Sequence, residues 1–343
     1  MLTITLYFRK DDPVSDATRA DLLSIKEKYP HNLVQVDVDS DPALIKSIGD
    51  DVPVVEVGPY RLKSPFNKQK LMMTLGAASD RKGQLRRLRR EDRYDPKRSG
   101  NSINRGDRVV YWISRHYLAL VNLFILLYVG LPILAPVLMK AGATAPATVI
   151  YTVYKPLCHQ FAFRSFFLFG EQPYYPLAEA GLKDIKNFEE ATGIVGAHDP
   201  TAFARLQARE FTGNDVVGYK MALCERDIAI YGAMFLFGVI YAWTGRRLKP
   251  VHWLVWIVIG MGPIGLDGFS QLFSQMEWSW LVHILPYRES TPFLRLLTGG
   301  IFGFVTAWFA YPSMEESMAE TQQFLIKKFA SLDQTSTGKT AAI

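Results

Sequence analysis

The sequence predicts an α-helical membrane domain of about four transmembrane helices plus a re-entrant or interfacial helix, preceded by a small α/β domain. Residues 117–139 form an apolar run without a charge, long enough to cross a bilayer core of about 30 Å. Similar runs cover residues 228–244, 253–273 and 293–312. Residues 1–80 instead carry the alternating and amphipathic patterns of short strands and helices. The hydrophobic content of 49% therefore averages two regions of different character.

Residues 1–80 predict the element order β-α-β-α-β-β-α. The strands are LTITLYF, LVQVDVD, VPVVEV and YRLKS, and the helices cover residues 16–29, 42–48 and 66–75. With Val52-Pro53 opening the third strand, this order resembles the thioredoxin/glutaredoxin fold, and the resemblance implies a cis proline beside a redox motif. Where that family carries C-x-x-C, this chain reads FRKDDPVSDATRA, and no cysteine precedes Cys158. Because disulfide exchange needs a thiolate, we predict a redox-inactive module for docking, ligand binding or stability.

A basic linker, residues 81–115, separates this domain from the first apolar run. It contains 12 Lys/Arg and 4 Asp/Glu, so its own net charge of +8 (12 minus 4) exceeds the net charge of +6 of the whole chain. A basic block directly before a span places the N-terminus in the cytoplasm and contacts anionic headgroups. The block lacks the interleaved aromatic pattern that base stacking requires, so we expect no nucleic-acid partner. We predict a multi-pass protein of the plasma membrane, the inner membrane of a bacterium.

The positions of the charged residues also indicate how many spans the chain has. Residues 144–170 reach a charge at Lys155 after only 14 uncharged residues counted from Lys140, fewer than the roughly 17 that a span requires. We interpret this segment as re-entrant or interfacial, with a full span as the competing interpretation. Four spans leave the basic loop GRRLKP inside, whereas a fifth would move it outside, against the positive-inside rule. The membrane domain then covers residues 116–312, with an external loop at 171–225 and a cytoplasmic tail at 313–343.

This topology brings the unusual polar residues to one depth, near the outer face. They are Cys158, His159, Arg164, Cys224, Arg226, Asp227, Asp267, Gln271 and Arg295. Charges at apolar depth are costly and usually face a bundle interior or a water-filled cavity. The sequence therefore predicts one polar site at the outer ends of the spans.

Four motifs within residues 117–312 resemble an uncharacterised family of prokaryotic integral membrane proteins, catalogued as a domain of unknown function. They are C-H-x-x-x-x-R-S-F from Cys158, C-x-R-D from Cys224, D-G-x-x-Q from Asp267 and R-x-x-T-G from Arg295. Asp227 stands where the family carries a second cysteine. The resemblance implies a shared site and names no reaction.

Two kinds of chemistry fit the cysteine motifs. Cys158, His159, Cys224 and Asp227 together form a set of residue types that bind zinc, and iron is a second candidate metal. His283 in the outer loop is an alternative ligand. Two cysteines on the exoplasmic side also commonly form a disulfide. A metal site and a Cys158–Cys224 disulfide therefore both stay open.

The remaining polar residues lead to three functional hypotheses. We predict an intramembrane ion pair between Asp267 and Arg295, with Gln271 beside it, and an anionic group held by Arg164, Arg226 and Arg295. The first hypothesis is a metal-dependent membrane enzyme acting on a lipid-like or quinone-like molecule. The second is a non-catalytic subunit that docks partner subunits of a larger membrane complex, with the disulfide as a staple. The third is a small transporter that uses the ion pair.

Small residues on the last two apolar runs are interpreted as packing features. Gly262, Gly265 and Gly268 predict a broken or closely packed helix. Gly299, Gly300 and Gly303 predict a close helix–helix contact, and residues 200–211 predict a short amphipathic helix near the site.

Overall fold

The computed structural model describes residues 2–41, 44–45, 48–87, 103–199, 202–276 and 286–340. For residues 84–87 and 333–340 it describes the backbone alone. Residues 88–102 of the predicted basic linker and His283 therefore lie outside the described residues. The chain divides into two compact units. One comprises Met1–Tyr117 with Glu316–Ile343, and the other comprises Leu118–Glu315.

The first unit contains the predicted small α/β domain. Its elements are β1 (Leu2–Phe8), α1 (Pro13–Ser24), β2 (His31–Asp37), β3 (Val54–Val57), β4 (Tyr60–Lys63) and α2 (Lys68–Arg87). The sheet is mixed, in the order β2-β1-β3-β4, with β1 parallel to β2 and antiparallel to β3. The Val52-Pro53 peptide bond is cis. The α/β fold is confirmed, and its thioredoxin-like character stays a prediction.

The sequence explains why these elements form. In β1, Ile4 and Leu6 alternate toward a core that α1 and α2 cover, which is the period-two pattern of a strand. Asp12 caps α1 by accepting hydrogen bonds from the backbone amides of Val14 and Ser15, and Pro13 occupies the first helical position.

Residues beyond Glu316, predicted as a cytoplasmic tail, continue the last helix and pack on the sheet of this unit. Ile326 and Ala330 contact the apolar cluster that contains Val36 and Val54. Lys327 Nζ lies 2.6 Å from Glu56 Oε2. The tail therefore takes part in the fold of the α/β domain.

Within the described residues, four helices are long and apolar enough to cross a membrane, as predicted. They are α3 (Arg105–Lys140), α7 (Glu225–Trp243), α8 (Trp253–Ser274) and α9 (Pro292–Thr340). Of the two predicted alternatives for α8, a broken or a closely packed helix, the break is absent, because the helix continues through a π-helical stretch at Trp256–Met261. Such a stretch adds a residue to one turn without ending the helix.

Residues 144–170 form a short helix and the start of a small sheet, and no membrane span. The helix α4 (Thr144–Tyr154) has 11 residues, or roughly 16 Å, which excludes the full-span alternative. It folds back along α3, where Ala147 and Tyr151 pack with Ala135. Tyr154 Oη donates to the carbonyl of Tyr128, 2.9 Å away, inside the apolar part of α3.

A small subdomain connects α4 to α7. It contains β5 (Ser165–Leu168), α5 (Phe188–Thr192), α6 (Phe203–Glu210), β6 (Gly213–Asn214) and β7 (Gly218–Cys224). Its antiparallel sheet has the order β5-β7-β6. Phe163, Phe167, Tyr175 and Phe188 fill its core. The helix α6 corresponds to the predicted amphipathic helix.

Two of the three predicted packing glycines bring α9 against α7. A Cβ atom built on Gly303 would lie 2.0 Å from the carbonyl oxygen of Ile230, and one on Gly299 would lie 2.9 Å from that of Arg226. Gly300 faces open space. The G-x-x-x-G spacing therefore lets the two backbones touch.

Gly303→Ala should destabilise the protein by at least about 2 kcal/mol, because the added methyl group meets backbone that cannot move aside. The matched control, Gly300→Ala, should be neutral or slightly stabilising, since alanine favours helix and the position is open. Thermal denaturation in detergent measures both. Equal midpoints for the two variants would contradict the close contact.

Candidate functional site

The first turn of α7 divides the predicted site into two clusters. Cys224 is its N-cap residue, and Glu225, Arg226 and Asp227 follow directly. Residues three apart share a helix face, so Cys224 and Asp227 project together. Glu225 and Arg226 instead reach partners on α9 and α8.

The first cluster consists of Cys158, Cys224 and Asp227. Their ligand atoms, two sulfurs and one carboxylate oxygen, all lie within 4.8 Å of one another. The turn after α4 supplies Cys158, whose amide donates to the carbonyl of Tyr154. The register of β5 against β7 pairs Ser165 with Cys224 and so closes the loop that carries Cys158 onto α7.

Both cysteines are free thiols, and their environments differ. Hydrogen bonding with Cys224 lowers the pKa of Cys158. The same interaction, together with burial, raises the pKa of Cys224 well above its usual value. Cys158 is therefore the sulfur that carries a negative charge first, and a thiolate is both the nucleophilic and the metal-binding form.

His159 does not join this cluster. Its side chain is exposed and its ring stacks on Phe161, with ring centroids 5.6 Å apart. Cys158 and His159 are consecutive residues of an irregular turn, so their side chains leave the backbone in different directions. The predicted four-residue ligand set is thus three residues in the structure.

The second cluster is a buried ionic network with two centres. At the first, the Asp267 carboxylate binds Arg226, lies 2.6 Å from Arg288 Nη2 and accepts from Ser290 Oγ at 2.7 Å. Arg288 also donates to Ser270 Oγ.

At the second centre, Glu289 accepts two hydrogen bonds from the Arg164 guanidinium, at 2.7 and 2.8 Å, and also binds Arg295. Gln271 Nε2 donates to Glu289 Oε2 at 2.7 Å. Arg295 in turn lies 3.2 Å from Glu225. Glu225 and Glu289 are each 1% exposed, and Arg295 is 3% exposed, so these charges depend on one another.

The predicted direct pair between Asp267 and Arg295 is wrong. Each binds other partners, because Arg288 and Glu289 precede α9 and project to opposite sides, one onto Asp267 and the other onto Arg295. The transporter hypothesis depends on that direct pair and therefore loses its support.

Four guanidinium groups face three carboxyl groups in this network, so it contains one more basic group than acidic groups. Burial opposes the ionisation of Glu289, but Arg164 and Arg295 outweigh it and hold the pKa of Glu289 below its usual value. Two buried atoms, Glu225 Oε1 and Arg226 Nε, have no hydrogen-bond partner in the part of the chain that the structure describes.

Sequence reasoning missed Glu225, Arg288, Glu289, Ser290 and Lys220. A signal existed for Glu225, which stands between two residues already selected, and for the run Arg288-Glu289-Ser290 directly before a span. Lys220 gave none. Its side chain is fully buried, and Nζ donates to the carbonyls of Gln160 at 2.7 Å and Arg209 at 2.6 Å. It therefore fixes the loop that follows Cys158.

Comparisons with known proteins agree with a membrane protein. Residues 205–309 match the family model described as "Predicted membrane protein (DUF2085)", which is just under a third of the chain. An uncharacterized protein of Methanocaldococcus jannaschii is 24% identical over 209 residues, 58% of this chain and 93% of that protein. No solved structure matches. The matched region contains α7, α8 and both centres of the ionic network, but not Cys158 or Arg164.

Glu289→Gln should destabilise the protein by about 3 kcal/mol, because Arg164 and Arg295 then lose their shared carboxylate in a buried site. Glu171→Gln, which removes an exposed pair with Lys186, should change the free energy of unfolding by less than about 1 kcal/mol. Denaturation in detergent compares the two. If Glu289→Gln lowers the free energy of unfolding no more than Glu171→Gln does, the buried network is contradicted.

The same substitution should change the pH dependence of stability. Since the pKa of Glu289 is lower in the folded state, its stabilisation is complete above about pH 4.3 and is lost as the pH falls through the folded-state value. Thermal midpoints measured down this acidic range should fall more steeply for the natural protein than for Glu289→Gln.

The buried Lys220 should give stability a second pH dependence, which comes from a basic group and not from a carboxylate. Burial lowers its pKa to about 7, so between about pH 7 and 10.4 the unfolded state binds more protons than the folded state. Stability from this group therefore rises with pH across that range, and Lys220→Met should remove the rise. Lys140→Met, at an exposed lysine, should retain it.

Proposed function

We propose that this protein is a metal-dependent membrane enzyme whose zinc or iron ion is bound by Cys158, Cys224 and Asp227. The observation that carries the proposal is the convergence of these three ligand atoms within 4.8 Å of one another. Cysteine sulfur and carboxylate oxygen are both ordinary zinc ligands. Three protein ligands leave a fourth position open, which is the arrangement of catalytic rather than structural zinc sites.

The spacing fits such an ion after a small adjustment. In a tetrahedral site with bonds of about 2.0–2.3 Å, ligand atoms lie roughly 3.3–3.8 Å apart. The present set is at most 4.8 Å apart, so movements of about 1 Å close it. Cys224 makes no side-chain capping bond to α7, and Cys158 lies in an irregular turn, so both sulfurs can adjust.

The ionic network supplies the other groups that an enzyme needs. An ion held by these three residues would polarise a substrate oxygen or a water molecule bound at its open fourth position. Glu225 follows Cys224 in the chain and has a buried oxygen without a partner, so we assign it the proton-accepting role. Arg164 and Arg226 are more accessible than Arg295, and they hold an anionic group while Arg295 positions Glu225 and Glu289.

A lipid-like or quinone-like substrate is supported by the place of the site at the first turn of a membrane helix. We further propose a plasma-membrane protein whose N-terminus, basic linker and α/β domain lie in the cytoplasm. The linker binds anionic headgroups. The strand order and the cis Val52-Pro53 bond support a redox-inactive thioredoxin-like docking module.

One observation favours a second candidate, a non-catalytic subunit of a larger membrane complex. The network joins α7, α8, α9 and the loop at Arg164 through paired charges, which is what a structural staple requires. In that function Cys158 and Cys224 form a disulfide, and the α/β domain docks partner subunits.

Metal analysis of the purified full-length protein separates the two candidates. The enzyme proposal expects near-stoichiometric zinc or iron, with affinity lowered more than about tenfold in Cys158→Ser, Cys224→Ser and Asp227→Ala. His159→Ala is the matched control, because His159 neighbours a ligand and lies outside the cluster, and it should retain the metal.

Cobalt replacement gives a readout independent of activity, since thiolate ligands produce charge-transfer absorption that the cysteine variants lose. Protein without metal, carrying a Cys158–Cys224 disulfide by mass spectrometry under non-reducing conditions, overturns the enzyme proposal and supports the structural subunit.

A further inference from the structure

Helix α6 exposes large apolar side chains although it belongs to a folded subdomain. Its buried side is formed by Ala204 and Ala208, which pack on the subdomain core. Phe203 and Leu206 are 71% and 51% exposed. They are three residues apart and so share one face of the helix. This helix therefore buries small residues on one face and exposes large apolar residues on the other, where a second partner can cover them.

Two arginines flank this exposed face. Arg205 Nη1 donates to the carbonyl of His198 at 3.1 Å, and its guanidinium lies 4.9 Å above the Phe161 ring. Arg209 Nη2 donates to the carbonyl of Lys155 at 3.2 Å. Within the described ranges, neither arginine has a carboxylate within 4.0 Å. Exposed apolar residues beside cations are typical of helices that lie in a membrane interface.

The contacts of Lys155 place the C-terminal end of α6 beside the apolar part of α3. Lys155 Nζ lies 2.6 Å from Glu210 at the end of α6, and its carbonyl accepts from Arg209. The preceding residue, Tyr154, donates to the carbonyl of Tyr128 in the apolar run of α3. Tyr128 is 12 residues before the end of α3 at Lys140, or about 18 Å along the helix. The C-terminal end of α6 therefore lies inward of the outer end of a membrane span.

The surface next to α6 is also apolar. Val149 and Val153 of α4 are exposed, and Leu157 follows directly after the Lys155 contact. These residues continue the apolar surface of the spans toward α6. A lipid acyl surface is the partner that such a continuous apolar region at this depth contacts.

We infer that α6 is an interfacial helix that inserts Phe203 and Leu206 among lipid acyl chains, while Arg205 and Arg209 bind anionic phospholipid headgroups. The inference does not rest on a metal at Cys158. Arg164 lies 5.8 Å from the centre of the same Phe161 ring that Arg205 covers. A headgroup on Arg205 therefore lies beside the ionic network, which gives lipid a defined position next to the site.

Photo-crosslinking in vesicles tests this contact in the full-length protein. A benzophenone amino acid replaces Phe203 or Leu206, and the vesicles contain alkyne-tagged phosphatidylglycerol or phosphatidylcholine. The control position is Val216, which is 60% exposed and adjoins Asp215, whose carboxylate lies 3.2 Å from Lys140 at the outer end of α3. We expect lipid adducts at 203 and 206 at several times the yield at 216.

The anionic component is tested by comparing the two lipids. Adduct yield at position 206 should favour phosphatidylglycerol, by roughly fivefold for each arginine that contacts the headgroup region. The double variant Arg205→Gln and Arg209→Gln should lose most of this preference and keep the adducts themselves. Equal yields at 206 and 216 overturn the membrane contact, and so do adducts to protein in place of lipid. An unchanged lipid preference in the double variant overturns the role of the arginines.

Discussion

The membrane unit depends most on the interactions of the buried Glu289 carboxylate. It binds Arg164 from the loop after α4, Arg295 from α9 and Gln271 from α8. Through Arg295 it also reaches Glu225 on α7. A single charge at 1% exposure therefore connects three spans and the small subdomain. No lipid or water can replace these hydrogen bonds, so the helices must keep the arrangement that satisfies them.

The first turn of α7 connects this network to the thiol cluster. Cys224 and Asp227 face Cys158, whereas Glu225 and Arg226 face the charges on α9 and α8. A helix periodicity of 3.6 residues achieves this separation within four consecutive positions. The soft ligands and the charged groups consequently lie next to each other without competing for the same partners.

Much of the fold could be predicted because its signals are local. Hydropathy located the four spans, and alternation located the strands of the α/β domain. The pairing of charges could not be predicted in the same way. Arg288 and Glu289 lie in a non-helical segment, and hydropathy does not indicate the depth of such a segment. The sequence pattern therefore does not identify Glu289 as a buried charge, and it pairs Arg295 with Asp267.

The thiol cluster shows the same division between local and non-local information. Spacing placed Cys224 and Asp227 on one helix face, and the structure brings Cys158 to them. Whether a neighbouring histidine also points inward depends on the backbone of one turn, which composition does not reveal. The buried Lys220 is similar, because its partners are two carbonyl groups that carry no signal in the sequence.

The contact of Gly299 with the carbonyl of Arg226 bears on how selective the thiol cluster can be. Since α9 touches the backbone of the first turn of α7, that turn cannot rotate or slide outward to admit a wider occupant. The backbone positions of Cys224 and Asp227 are thus fixed, and adjustment comes from the Cys158 loop and from rotation of the side chains. At the metal site proposed above, such a fixed pair of backbone positions would favour small ions with short bonds over large ones.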